Sequence, residues 1–102
     1  MNYNSTGRLL RPLEIKQLRK PIKQIGIELK LSGFNQEQNL YSLQEYIRED
    51  ILVSIEFVED EMLFYGIVVN AGKTKIRHKI TNLDSYTLFI RDMRKVIRYN
   101  LT

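Results

Sequence analysis

Cysteine and tryptophan are both absent from the 102 residues, and only two prolines, five glycines and one histidine occur. Without cysteine the chain builds no disulfide, no thiolate nucleophile and no thiolate metal site. His78, the single histidine, makes a poor metal site with no cysteine and no nearby carboxylate pair, and no metal or other cofactor is expected. No apolar run approaches the roughly 18 residues that a membrane-spanning helix needs, so no membrane contact is expected. The stretch MNYNSTGRLLRP has no apolar core of a secretory signal, which points to a cytoplasmic protein. The sequons at Asn4 and Asn100 would matter only after secretion. No internal repeat or low-complexity segment is visible, and the length suits one domain.

Charge is segregated along the chain. Residues 1–34 carry seven Lys/Arg against two Asp/Glu, residues 35–72 one against eight, and residues 73–102 eight against two. A net +4 conceals basic ends and an acidic middle, a layout that can steer a partner or match one copy of the chain to another. The competing explanation is that the blocks pair within the fold, where exposed pairs contribute little.

The second half has the period of strands. Ile51, Val53, Ile55 and Phe57 alternate with polar residues, which predicts a half-buried strand. Glu59-Asp60-Glu61 suits an exposed turn, and Met62 to Val69 a second strand, apolar on both parities. Gly66 within that strand suggests a bulge or sharp bend. Asn70-Ala71-Gly72 supplies turn chemistry before a third strand over 73–80. Residues 81–85 form a loop. From Tyr86 onward two patterns compete. Tyr86, Leu88 and Ile90 alternate as a strand, with a tight turn at Arg91–Arg94 and a last strand over 96–99, whereas Tyr86, Ile90, Met93 and Ile97 line one helical face. The density of β-branched and aromatic residues favours the strands.

In the first half, residues 1–11 suit a flexible tail and Pro12 the first position of a short helix over 13–20. Pro21 is expected to break that helix. Ile25, Ile27, Leu29 and Leu31 alternate as a strand, favoured over the helical spacing of Ile15, Leu18, Ile22, Ile25 and Leu29 because Pro21 and Gly26 oppose one continuous helix. Ser32-Gly33 is a break. A helix capped by Asn35, with Ser42–Glu45 as a fallback capping box, is expected up to Asp50. Its apolar side would be Leu40, Leu43 and Ile47, with Tyr46 as a further member.

The expected fold is therefore mainly β with one or two helices: a helix and a small five-stranded barrel over 36–101. The alternative is an α+β three-stranded meander with a C-terminal helix.

No catalytic motif emerges. Gly72-Lys73-Thr74 resembles the tail of a P-loop, but the glycine required five residues earlier is Ile67, and a strand follows where a helix should open. Glu56, Glu59, Asp60 and Glu61 fall on strand exterior and turn, and His78 shares a parity with Ile76 and Ile80, so no enzyme is expected. Cations carry the functional signal. Lys73, Lys75, Arg77 and Lys79 share one parity of a strand, which predicts a basic ladder on one face. Arg91, Arg94, Lys95 and Arg98 form a second cluster, interleaved with Phe89 and Tyr99. Cations mixed with aromatics suit single-stranded nucleic acid, through phosphate contact and base stacking. The same cations suit an acidic protein partner, or a homo-oligomer in which the acidic middle meets a basic face.

A helix leading into a strand meander, with a tight turn before the last strand, resembles small Sm/SH3-like barrels. More narrowly, Leu43–Ile47, Val53-Ser54-Ile55-Glu56-Phe57, Gly66-Ile67-Val68 and Leu88–Ile97, with its Asp92 turn, resemble the YolD-like family. The resemblance covers residues 36–100 and rests on hydrophobic spacing. The family's N-terminal Asp-Arg-Gly element and its tryptophan are missing, with Ser5-Thr6-Gly7-Arg8 in their place. The resemblance implies a non-enzymatic accessory protein of DNA-damage response or mobile elements, with no catalytic residues to carry over.

Overall fold

A computed structural model describes residues 12–101, with side chains over 15–100. The tail expected over 1–11, with Arg8 and Arg11, lies outside the described residues. Helix α1 (Pro12–Leu31) is followed by strands β1 (Asn35–Asn39), β2 (Leu43–Arg48), β3 (Ile51–Val58), β4 (Leu63–Asn70) and β5 (Lys73–Ile80), and then helix α2 (Leu83–Leu101). The strands form one antiparallel sheet in chain order, with β1 and β5 at its edges. The architecture is α+β and the sheet stays open rather than closing into the expected barrel. Five strands, not three, make the meander.

Strands β3 to β5 fall where the alternation puts them. The other elements correct the sequence expectations. α1 runs unbroken through Pro21 instead of dividing into a short helix and a strand. Ile15, Leu18, Ile22, Ile25 and Leu29 are all buried, while Ile27 is 52% and Leu31 85% exposed, the reverse of what a strand over 25–31 requires. Burying five large apolar side chains at roughly 1.5–3 kcal/mol each outweighs the roughly 3 kcal/mol cost of an interior proline. The helix ends at the expected break. Gly33, at φ 94°, closes a Schellman motif in which Gly33 N donates to Lys30 O and Phe34 N to Leu29 O, while Phe34 packs into the core.

Residues 35–48 form a hairpin, not a helix. β1, Asn-Gln-Glu-Gln-Asn, has little strand propensity and exists by pairing with β2. β2 is held by Tyr46, which is buried beneath α1, and by Arg48, whose Nη1 donates to Ser32 O at 2.7 Å at the end of α1. Leu40, Leu43 and Ile47 are not a buried helical side, and Leu40 is 56% exposed.

α2 takes the helical pattern rather than strand-turn-strand. Phe89 is fully buried and Leu88 is 46% exposed, whereas strand alternation would bury Leu88. Asn82 caps the helix. Its side-chain oxygen accepts from Ser85 N at 2.8 Å and Ser85 Oγ accepts from Asn82 N at 3.1 Å, a reciprocal capping box.

Both helices cover the same sheet face, the one presenting Val53, Ile55, Gly66 and Val68. The two helices also meet. Tyr86 Oη donates to Pro21 O at 2.7 Å, and burial pushes the Tyr86 phenol up to about 12, helped by the charge of Glu28. Gly66 is not a bulge, since β3–β4 pairing runs through Ile55↔Gly66 without a shift. It makes room for a ring: a Cβ on Gly66 would lie 2.6 Å from Phe89 Cδ1 and Cε1. The only register shift in β4–β5 falls between Val68 and Val69.

Two stability changes follow. Gly66→Ala forces the fully buried Phe89 ring aside and is expected to lose about 1–3 kcal/mol in urea unfolding. In the β4–β5 turn, Ala71 (φ 52°) and Gly72 (φ 79°) both lie in the left-handed region that a two-residue type I′ turn demands. Alanine is strained there, so Ala71→Asn is expected to raise unfolding free energy by about 1 kcal/mol, and an unchanged midpoint would contradict this origin of strain.

Candidate anion-binding edge

Strand β5 is an edge strand, and α2 packs over it and β4. This brings Lys75 and Arg77 of the first basic cluster beside Lys95 of the second, although not as the single flat ladder expected. The register shift opposite Val68/Val69 makes Lys75 the extra residue of a bulge. Arg77 pairs with Ile67 and Lys79 with Tyr65, which puts both on the sheet face away from the helices. Lys73 pairs with Asn70, whose side chain bonds Asn100 of α2 at 2.7 Å, so Lys73 belongs to the helix-covered side. The bulge splits the ladder, and the cations wrap around the edge.

On α2, Arg91, Arg94, Lys95 and Arg98 follow i, i+3, i+4, i+7 spacing and share one helical face. That face lies opposite the buried stripe of Phe89, Ile90 and Met93 and is exposed to solvent. Phe89, expected among the stacking aromatics, is core, and Tyr99 is 81% exposed.

The cations differ in their partners. Arg94 makes a bidentate pair with Glu28 of α1, Nε to Oε2 at 2.9 Å and Nη2 to Oε1 at 2.7 Å, and so ties the two helices. Its guanidinium is raised above its ordinary value, chiefly by the hydrogen bond to Glu28. Arg91 Nε lies 3.2 Å from Asp92 Oδ1. Arg77 stacks on the Tyr65 ring, 4.3 Å from its centroid, which fixes the guanidinium flat against β4. Among the described residues Lys73, Lys75, Arg77, Lys79 and Lys95 have no ion-pair partner.

Between β5 and α2 a cleft of about 410 Å³ is lined by Lys75, Arg77, His78, Asp92 and Lys95. His78 Nε2 lies 2.9 Å from Asp92 Oδ2, and its ring meets the edge of Phe89. The carboxylate is held below its usual range, mainly by the His78 hydrogen bond, so it stays an acceptor and His78 Nε2 carries the proton. Sequence reasoning missed this pair. His78 and Asp92 stand 14 residues apart, and nothing in the period of either element joins them before α2 is known to be a helix. Among the described residues no three His, Asp or Glu side chains gather as a metal site, and no helix is long and apolar enough to cross a membrane. Gly72-Lys73-Thr74 is a hairpin turn entering a strand.

No protein-family model, curated protein or solved structure matches the chain.

The His78–Asp92 contact predicts a pH dependence. Asp92 holds its proton less tightly in the folded state than in the unfolded chain. Its contribution to stability is complete above the ordinary Asp value of about 3.9 and is lost as pH falls through the depressed folded value. Carbon-13 titration of the Asp92 carboxyl should give a midpoint below that of a free Asp, and His78→Phe should move it upward. An unmoved midpoint would show that the hydrogen bond does not govern the carboxylate.

Proposed function

We propose that the protein binds nucleic acid without catalysis, through phosphate contacts along the β5–α2 edge. The observation that carries this reading is the run of cations around one edge. Lys73, Lys75, Arg77, Lys79 and Lys95 make no ion pair there among the described residues, and Asp92, the acid beside them, is engaged by His78 and Arg91. A band that curves around an edge suits a flexible backbone better than a rigid surface. Exposed Tyr99, one residue from Arg98, offers a ring for base stacking, which favours single strands. Backbone contact of this kind carries little sequence preference. The resemblance to YolD-like proteins implies an accessory role in DNA-damage response or on mobile elements, but two segments that carry it, the helix expected at Leu43–Ile47 and the turn expected at Asp92, are a strand and part of a helix in the structure.

Opposite charge at the two sheet edges favours a second reading, a protein-interaction module or homo-oligomer. Glu37 and Glu45 lie on β1 and β2, and the cations of β5 lie across the sheet.

Fluorescence anisotropy with a labelled single-stranded oligonucleotide tests the first reading. The logarithm of affinity should fall with the logarithm of salt concentration with a slope of about −3 to −4, for some five phosphates engaged at about −0.7 each. Lys75→Glu with Arg77→Glu should weaken all oligonucleotide sequences alike and flatten that slope by about 1–2. Salt-independent affinity would refute phosphate binding. A salt-labile assembly in light scattering, without bound nucleic acid, would favour the second reading.

A further inference from the structure

The guanidinium of Arg19, on α1, stands among three aromatic rings. Its carbon lies 3.8 Å from the centroid of Tyr41, 5.0 Å from Phe64 and 5.2 Å from Phe57. Nη1 donates to Tyr41 O at 2.8 Å. Nε and Nη2 are buried and have no hydrogen-bond partner among the described residues. The rings answer the charge but not the directional N–H donors, and buried donors without acceptors are rare and costly. The unpartnered pair is also the geometrically distinctive one. Nε and Nη2 form the side-on edge of a guanidinium, whose two parallel N–H bonds match the two oxygens of a carboxylate.

Arg19 borders a cavity of about 430 Å³ lined with Ile15, Tyr41, Phe57 and Met62, with Lys16 and Glu59 as its other charged groups. This volume falls in the range of small-molecule sites, and an apolar wall with a few convergent polar groups is their usual chemistry.

We propose that this cavity binds a small carboxylic acid with an apolar body. The carboxylate is held side-on by Nε and Nη2 of Arg19, and the body lies against Ile15, Phe57 and Met62. Two cations against one carboxylate in the lining match a monoanion better than a phosphate dianion. Tyr41 is the movable cover. It stands on the β1–β2 connection, is 72% exposed, and holds its ring 3.8 Å from the guanidinium carbon, so the proposal requires that ring to swing outward as the acid enters. The site uses no residue of the β5–α2 edge and is independent of nucleic-acid binding.

The test is a titration of the full chain with octanoate and with 3-phenylpropionate, followed by amide and methyl NMR shifts. The corresponding uncharged amides serve as controls. Saturable shifts are expected at Ile15, Phe57 and Met62 by about 10 mM acid, with the amides at least roughly tenfold weaker. Arg19→Lys keeps the charge but loses the two-donor edge, and should also weaken binding roughly tenfold. Should that variant unfold, Glu59→Gln at the exposed rim removes the opposing charge and should tighten acid binding about two- to fivefold. Absence of saturable shifts at these residues, equal binding of acid and amide, or full binding by a folded Arg19→Lys would each overturn the proposal.

Discussion

Two glycines set how closely the helices approach the sheet. Gly26 on α1 lies against the Tyr46 hydroxyl and ring end, and a Cβ there would overlap the hydroxyl oxygen. Gly66 on β4 lies beneath the Phe89 ring of α2. In one contact the helix supplies the glycine and the sheet the ring, and in the other the roles reverse. With both rings seated, Val53, Val68, Ile80, Leu18, Ile22 and Met93 close into one hydrophobic core. The Tyr86–Pro21 hydrogen bond and the Arg94–Glu28 pair then tie the helices to each other. The Arg94–Glu28 pair is half exposed and, for all its good geometry, contributes at most about 1 kcal/mol, so packing rather than charge holds the layers.

This arrangement turns a charge pattern of the chain into a charge pattern of the surface. The acidic middle becomes the β1–β3 side of the sheet with its turns, and the basic C-terminal block becomes the β5–α2 edge. Because strand order follows chain order, neighbours in sequence remain neighbours in space and the blocks do not cancel. A crossover topology would have interleaved them. An exposed edge strand invites pairing with other chains, and lysine along β5 is also a recognised deterrent to that. The proposed phosphate binding and protection from aggregation would make compatible demands on the same residues.

Strands β3 to β5 and their turns were legible in the sequence because alternation in β3 and β5, the apolar run of β4 and the polar or Asn/Gly residues between them agree there. The Ser32-Gly33 break was legible from glycine's turn chemistry alone. Where local signals conflicted, propensity misled. Pro21 and Gly26 argued against a helix that five buried side chains stabilise, and Gly26 proves to be a packing surface rather than a breaker. The β-rich composition of 86–99 argued for strands, although Asn82 and Ser85 already carried a capping signal. Residues 35–48 were harder still, because β1 has almost no strand signature of its own.

The candidate site shows the same division. That the cations of β5 and α2 are exposed followed from the sequence, since exposure of Lys and Arg needs no tertiary information, but not how they are arranged. The sequence also determined the absence of thiol chemistry, the charge blocks and the three central strands, all of which depend on composition or on spacing within one element. Only the tertiary structure decided the rest. The bulge at Lys75 split the ladder, Phe89 turned inward, His78 met Asp92, and Arg19 was left with two buried donors beside a cavity. Each of these depends on contacts between residues far apart in the chain, and no local period encodes which side chain will stand across from another.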